Sequence, residues 1–173
     1  WLVTGASGLL GNYAIRELSK HGQVFGVSRR PARIKDARYT SLTGDLSDEN
    51  FVSSLIAEAQ PTHVLHTAGL VGHEACSRDP EQAYRSNVVS TRNLVRHAGM
   101  TGAKIIYIST DAVYGGNRGG HRETETPSPF SLYGKTKLAG EQEARVLSDA
   151  LIIRTNFFGW PPFNGSSILT FFL

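Results

Sequence analysis

Residues 4–11 read Thr4-Gly5-Ala6-Ser7-Gly8-Leu9-Leu10-Gly11, with three glycines spaced three residues apart. A strand-like run from Trp1 to Thr4 precedes them, and an amphipathic run from Leu9 to Lys20 follows. Glycine permits a tight turn, a close approach of backbone to a pyrophosphate and close packing of helix on strand, while the start of the helix offers free N–H donors. The stretch therefore predicts a dinucleotide-binding turn between a first strand and a first helix.

Strand-like apolar runs alternate along the rest of the chain with helix-length amphipathic stretches. This alternation is typical of a parallel α/β sheet rather than of a sandwich or a bundle. We predict an α/β fold, a Rossmann-type doubly wound parallel sheet. The predicted strands are Trp1 to Thr4, Gln23 to Ser28, Thr40 to Leu42, His63 to Thr67, Lys104 to Ile108 and Ala150 to Arg154. The predicted helices are Leu9 to Lys20, Phe51 to Ala59, about Pro80 to Ala98 and Ser131 to Leu147.

The length of 173 residues and a hydrophobic share of 40% suit one substantial core. We assign residues 1–160 to a single NAD(P)-binding Rossmann domain. Residues 166–173 read like the start of a capped apolar helix, and Trp1 already lies inside the first strand. The sequence therefore predicts a fragment in which residues 161–173 begin a truncated substrate-binding lobe, so that this smaller C-terminal lobe is largely missing.

Composition argues against several other classes of protein. The net charge of +3 is not concentrated in a run of like charges, so nucleic acid is not an expected partner. The single cysteine, Cys76, suits a reduced thiol in the cytoplasm, and no run of about 18 apolar residues predicts a membrane span. The six histidines lack metal-ligand spacing, so we expect no metal site and structural roles for them.

The end of the predicted second strand bears on the choice of cofactor. Proteins specific for NAD place an acidic residue there to bind the ribose 2′-hydroxyl, whereas this chain has Ser28-Arg29-Arg30. A guanidinium matches a phosphate with two parallel hydrogen bonds, so we expect NADP(H) to be preferred over NAD(H). Two solvated loop arginines remain the alternative. Asp45 could accept the adenine amino group or could simply cap the next helix, and the small residues Ala68 and Gly69 would let the backbone pass beneath a cofactor.

A tyrosine and a lysine share one helix face in Tyr133-Gly134-Lys135-Thr136-Lys137. A nearby cation favours the phenolate form, so Lys137 could lower the pKa of Tyr133. A hydroxyl at the end of the preceding strand would complete a catalytic group, and Thr110 lies at that place. Because a Tyr and a Lys four residues apart are common in helices, the assignment depends on their order after the glycine turn and the strand-end hydroxyl.

With these motifs in place, the chain resembles the extended short-chain dehydrogenase/reductase superfamily, in particular the dTDP-4-dehydrorhamnose reductases. The resemblance implies that Thr110 and Tyr133 hydrogen-bond a substrate carbonyl, that Tyr133 donates the proton, and that Lys137 holds the nicotinamide ribose and lowers the tyrosine pKa. The matching stretches are Thr4 to Gly11, Asn87 to Leu94, Tyr107 to Tyr114, Arg122-Glu123, Pro127-Ser128-Pro129, Tyr133 to Glu141 and Ile152 to Thr155.

The same resemblance implies NADPH-dependent reduction of a keto group on a nucleotide-linked sugar, as in dTDP-rhamnose biosynthesis, with a homodimer as a possible assembly. Two alternatives stay open. One is a dinucleotide-binding regulatory subunit like the β subunit of methionine adenosyltransferase. The other is a nucleotide-sugar epimerase or dehydratase, although dehydratases usually carry an acidic pair at the catalytic hydroxyl and Asp111 is not followed by Glu. The expected dinucleotide contacts are Gly5, Ser7, Gly8, Leu9, Leu10, Ser28, Arg29, Arg30, Asp45, Leu46, Ala68, Gly69, Tyr133 and Lys137.

Overall fold

The computed structural model describes residues 1–32, 34, 37–116 and 119–160. Within these residues six strands form one sheet in which every pairing is parallel. The strands are β1 (Leu2–Thr4), β2 (Phe25–Ser28), β3 (Thr40–Thr43), β4 (His63–His66), β5 (Lys104–Ser109) and β6 (Leu151–Arg154). Their order is β3-β2-β1-β4-β5-β6, so the predicted Rossmann-type doubly wound sheet is confirmed.

Helices cover both faces of the sheet and connect most of its strands, although the described residues hold no helix between β2 and β3. They are α1 (Leu9–Leu18), α2 (Glu49–Ala59), α3 (His73–Arg78), α4 (Pro80–Tyr84), α5 (Ser90–Met100) and α6 (Leu132–Ala144), with a π-helical segment at Arg85–Val89 and a 3-10 turn at Asp111–Val113. The neighbours Leu2 and Val3 of β1 are both fully buried but on opposite faces. Leu2 packs with Val52 and Leu94, whereas Val3 packs with Ile15. A strand covered on both sides reads as a continuous apolar run, as β1 does.

The predicted strands and helices agree with these bounds to within three residues except in one region. The single helix expected over about Pro80 to Ala98 is a helical run interrupted by the π-helical segment, and the short α3 was not predicted. The interruption places the side chain of Asn87 so that its amide nitrogen donates to the Leu70 carbonyl and the Thr136 hydroxyl, both at 3.0 Å. This asparagine ties the loop after β4 to α6, and both elements line the candidate site.

The other helices were predicted well because capping residues and glycines mark where they begin. The Asp48 carboxylate accepts hydrogen bonds from the backbone N–H groups of Asn50 and Phe51, so this residue caps α2. A side-chain carbon at Gly11 would overlap the Gly5 carbonyl, so α1 can pack on the turn only with glycine at this position. No helix among the described residues is long and apolar enough to cross a membrane. The predicted lobe start at residues 161–173 lies outside the described residues.

Candidate active site

A cleft of about 1000 Å³ lies beyond the carboxyl ends of the strands. It spans the place between β1 and β4 where the strand order reverses, which is the usual ligand site of open α/β sheets. The fold brings every predicted dinucleotide contact to this one cleft, although a binding role for each of them stays a prediction. Those residues are Gly5, Ser7, Gly8, Leu9, Leu10, Ser28, Arg29, Arg30, Asp45, Leu46, Ala68, Gly69, Tyr133 and Lys137.

The glycine turn exposes backbone to the cleft. Gly5 has a φ of 71°, a conformation that other residues rarely adopt, and a side chain there would collide with Thr67 and Ala68. Gly8 begins α1 as its N-cap residue, and in the described residues no side chain caps it. The first amides of α1 therefore keep free N–H donors at the positive end of the helix dipole. This cradle fits the pyrophosphate of a dinucleotide.

A buried hydrogen-bond chain fixes the spacing between β1 and β4 beneath that turn. The Thr4 hydroxyl lies 2.7 Å from Nδ1 of His66, and Nε2 of His66 lies 3.0 Å from the Thr91 hydroxyl, which itself donates to the Asn87 carbonyl. Thr91 can then only accept from His66, so the proton of the imidazole is on Nε2. Burial, with the charge of Lys137 acting in the same direction, lowers the pKa of His66 to about 3 and keeps it neutral. These contacts are in keeping with the structural role expected for this histidine.

The end of β2 presents two cations to the cleft. The Ser28 hydroxyl donates to the Arg30 carbonyl at 2.6 Å and so shapes the turn that follows the strand. Arg29 and Arg30 are both exposed and both line the cleft. This placement suits contact with a 2′-phosphate.

Asp45 is not the cap of α2, since Asp48 fills that position. One carboxylate oxygen of Asp45 accepts from the backbone N–H and the hydroxyl of Ser47, both at 2.9 Å. The other oxygen lies 3.7 Å from the guanidinium of Arg85. Burial would raise the pKa of Asp45, but the hydrogen bonds from Ser47 and the charges of Arg85 and Arg29 outweigh it and lower the pKa overall. The carboxylate is therefore ionised at the edge of the cleft.

Tyr133 lines the cleft, and Thr110, which does not line it, is in hydrogen-bonding contact with the Tyr133 phenol. Thr110 directly follows β5 and is buried, and its hydroxyl oxygen accepts the Ala112 N–H at 3.2 Å. Burial raises the pKa of Tyr133, while a hydrogen bond with Thr110 acts in the opposite direction. The phenol of Tyr133 is therefore protonated at neutral pH and can donate its proton.

Lys137 lies one turn further along α6 and is only 6% exposed. Its ammonium donates to the Ile108 carbonyl at 2.6 Å and lies 4.2 Å from the centre of the Tyr107 ring. Burial lowers the pKa of Lys137 to about 7, with the charge of Glu141 opposing this shift. The predicted lowering of the Tyr133 pKa by Lys137 is not found in this arrangement, because burial dominates at the phenol and the ammonium is directed to the Ile108 carbonyl.

Lys137→Met is expected to raise the thermal midpoint by roughly 2–4 °C at pH 6, equivalent to about 1 kcal/mol. A lysine has an ordinary pKa of 10.5, so a native pKa of about 7 means that folding at pH 6 buries a charge at a cost. That cost is fully present below pH 7 and fades as the pH rises towards 10.5. Thermal unfolding at pH 6 and pH 9.5 measures it, with Lys135→Met on the exposed face of α6 as the control. A lower midpoint at pH 6 would contradict the assigned cost.

A fully buried carboxylate, Glu141, lies one further turn along α6. It accepts a hydrogen bond from the Ser109 hydroxyl at 2.6 Å and two from the Arg154 guanidinium at 2.7 and 2.8 Å. Arg145 adds a third cationic contact at 3.0 Å. Arg154 also reaches the Tyr114 hydroxyl and lies over the Tyr114 ring, so the network connects α6, β5 and β6 with the loop after Tyr114.

Sequence reasoning did not assign a role to Glu141, Arg154 or Asn87. Glu141 and Arg154 both lie in stretches that carried the family resemblance, and a Glu four residues after Lys137 is the signal that could have identified the first of them. Asn87 directly precedes the apolar pair Val88-Val89, and a polar residue beside such a pair is a candidate for a buried hydrogen-bonded role.

Comparison with known proteins agrees with this geometry. The family described as RmlD substrate binding domain matches residues 1–160. The β subunit of methionine adenosyltransferase 2 from Bos taurus is 37% identical over 142 residues, which are 82% of this chain and 41% of that protein. The chain therefore spans about two fifths of the length of this curated relative.

Three solved structures share the fold. A hypothetical dTDP-4-dehydrorhamnose reductase from Sulfolobus tokodaii superposes with a TM-score of 0.80 at 33% identity, covering 88% of this chain and 54% of that one. The dTDP-4-dehydrorhamnose reductase of Bacillus anthracis, in complex with NADP, has a TM-score of 0.75 at 28% identity, and the match covers 88% of this chain and 51% of that one. UDP-glucose 4-epimerase of Thermus thermophilus, in complex with NAD, gives 0.78 at 28% identity, covering 88% and 53%. The chain spans about half the length of each.

Proposed function

The chain belongs to the RmlD substrate binding domain family within the extended short-chain dehydrogenase/reductases, and from that premise we propose that it is the nucleotide-binding part of an NADPH-dependent reductase. Its substrate would be the keto group of a nucleotide-linked sugar, with dTDP-4-dehydrorhamnose as the first candidate. The observation that carries the proposal is the position of Tyr133 and Lys137 in the cleft that the glycine turn also lines. Binding elements and proton-transfer groups thus face one cavity.

Each catalytic residue has a role that follows from its surroundings. Reduced nicotinamide, when bound, supplies the hydride for the carbonyl carbon. Tyr133 holds a proton at neutral pH and donates it to the carbonyl oxygen, and Thr110 hydrogen-bonds the same oxygen. Lys137, with its pKa near 7, exchanges protons readily at neutral pH and lies where it can hold the ribose hydroxyls. The free amides of α1 bind the pyrophosphate.

The direct test is an assay of the full-length protein with NADPH and dTDP-4-dehydrorhamnose, followed by the absorbance of the reduced cofactor. Loss of NADPH that matches the formation of reduced sugar is the expected result. If NADPH binds but neither sugar nor cofactor changes, the reductase proposal fails.

A second candidate function is favoured by the 37% identity to a methionine adenosyltransferase subunit. Under that alternative the chain binds a dinucleotide and acts as a partner rather than as an enzyme. The same assay separates the candidates, because a regulatory subunit binds NADPH without turnover. A nucleotide-sugar epimerase, the third candidate, would convert the sugar without net oxidation of cofactor and would accept NAD.

We further propose that NADP(H) is preferred over NAD(H) because of the two cations after β2. A charge-assisted contact with the 2′-phosphate contributes about 1.5–3 kcal/mol, so the preference is expected to be on the order of tenfold to a hundredfold and to shrink as salt rises. Arg29→Ala combined with Arg30→Ala should remove most of it.

Calorimetric dissociation constants for both cofactors at two ionic strengths measure the effect. Arg96→Ala is the matched control, since Arg96 is exposed on α5 and pairs with Glu49 outside the cleft. Equal affinities for NADH and NADPH in the unmodified protein would mean that Arg29 and Arg30 are only solvated loop residues.

A further inference from the structure

The turns after β2 and β3 lie side by side at the edge of the cleft, where the contact with a 2′-phosphate is proposed. Ser28 pairs with Thr43 in the parallel register of these two strands. Arg29 is one residue beyond the first strand and Asp45 is two residues beyond the second, and both line the cleft. The positive charge of Arg29 helps to lower the pKa of the Asp45 carboxyl. Arg29, the proposed phosphate contact, thus has the Asp45 carboxylate as a neighbour.

A third cation, which does not line the cleft, reaches the turn after β3. Arg85 begins the π-helical segment, 38 residues after Ser47 in the chain. Its guanidinium donates to the Ser47 hydroxyl at 2.9 Å and lies 3.7 Å from the Asp45 carboxylate. Ser47 in turn donates to the other oxygen of the Asp45 carboxylate. Arg85 therefore contacts two residues of the turn after β3, Asp45 and Ser47, and Ser86, its chain neighbour, lines the cleft.

The balance of charge gives this contact a consequence for ligand choice. An ionised Asp45 without a partner would attract Arg29 and repel a phosphate that carries nearly two negative charges. With Arg85 beside it, the carboxylate is compensated by a cation that does not itself line the cleft. Arg29 and Arg30 are then both available to an incoming anion.

Because these groups are tied together by geometry, we infer that Arg85 is a specificity-determining positioning residue, which neutralises Asp45 and so allows the cleft to accept a dinucleotide bearing a 2′-phosphate. The inference rests on the proposed dinucleotide binding but concerns a residue outside the predicted contacts. It requires Arg85 to act through Asp45 and not through direct contact with the phosphate.

A double-mutant cycle tests that requirement. The dissociation constants of NADPH and NADH are measured by calorimetry for the unmodified protein, Arg85→Gln, Asp45→Asn and the double variant, each at low and high salt. Arg85→Gln is expected to weaken NADPH binding by about three- to fivefold at low salt and less at high salt, with little change for NADH, because the Arg85–Asp45 pair is half exposed. In the Asp45→Asn background the same Arg85→Gln change is expected to alter the ratio of the two affinities by less than about twofold.

Several outcomes would overturn the inference. Equal loss of NADPH affinity from Arg85→Gln in both backgrounds would mean that Arg85 acts directly on the ligand or only on the structure. An unchanged ratio of the NADPH and NADH affinities in Arg85→Gln would mean that the Arg85–Asp45 pair has no effect on the choice of ligand. Arg96→Gln is the control for loss of an exposed arginine, and thermal unfolding verifies that each variant is folded. Failure of the proposed dinucleotide binding is distinguishable, because then the unmodified protein would bind neither dinucleotide.

Discussion

Tyr133→Phe is expected to lower turnover by a factor on the order of 10² to 10⁴ while the affinity for NADPH stays nearly unchanged. The substitution removes one oxygen atom and keeps the ring that packs beside the cleft. Because burial raises the pKa of Tyr133, the phenol of the unmodified protein carries its proton throughout the neutral range. Phenylalanine has no proton to give, so the carbonyl oxygen would have to take one from water. Steady-state turnover and calorimetric NADPH binding, measured on the same preparation of the full-length protein, separate the two effects.

The matched control is Tyr84→Phe. Tyr84 is exposed on α4 and does not line the cleft, and its hydroxyl has a weak contact of 3.5 Å with Arg92. Its loss should leave turnover within about twofold of the unmodified protein. If Tyr133→Phe turns over as fast as this control, Tyr133 is not the proton donor and the catalytic assignment is wrong.

Sequence alone predicted the sheet and the position of the cleft because the deciding constraints are local. Most of the strands are short apolar runs followed by small or polar residues. The glycines at 8 and 11 have steric reasons that lie within the turn itself, whereas a side chain at Gly5 would collide with Thr67 and Ala68 after β4. Parallel strands place their carboxyl ends at one edge, so the residues after each strand had to converge. The six predicted strands therefore also predicted which loops would meet.

The contacts that sequence reasoning missed join residues distant in the chain. Arg154 and Tyr114 are 40 positions apart, and Arg85 reaches Ser47 across 38. Periodicity cannot indicate such pairs. The contact of Lys137 with the Ile108 carbonyl is also between residues distant in the chain. A helical pattern places Lys137 on the same helix face as Tyr133, but it does not indicate which group the ammonium contacts.

Glu141→Gln is expected to lower the free energy of unfolding by about 3–5 kcal/mol, the usual result of removing one partner from a buried ion pair. Glu141 is fully buried, and its two oxygens accept from Arg154 and Ser109, with Arg145 as a further cation. Glutamine keeps the shape but loses the charge, so Arg154 would be left as a largely buried cation without an anion. Chemical unfolding at neutral pH measures the difference.

The dependence of this loss on pH identifies the charge as its cause. Burial raises the pKa of Glu141, but the hydrogen bonds from Arg154 and Ser109 and the charges of Arg154 and Arg145 outweigh it, so the pKa in the folded protein is below the ordinary 4.5. The stabilisation is then present above pH 4.5 and is lost as the pH falls through the folded value. The difference in the free energy of unfolding between Glu141→Gln and the unmodified protein should therefore become smaller at acidic pH.

Glu143→Gln is the matched control, because it makes the same chemical change two residues later. The ion pair of Glu143 with Arg92 is partly exposed, so this variant should lose only about 0–1 kcal/mol of unfolding free energy. Equal losses from the two variants would show that burial of the Glu141 carboxylate adds nothing to stability.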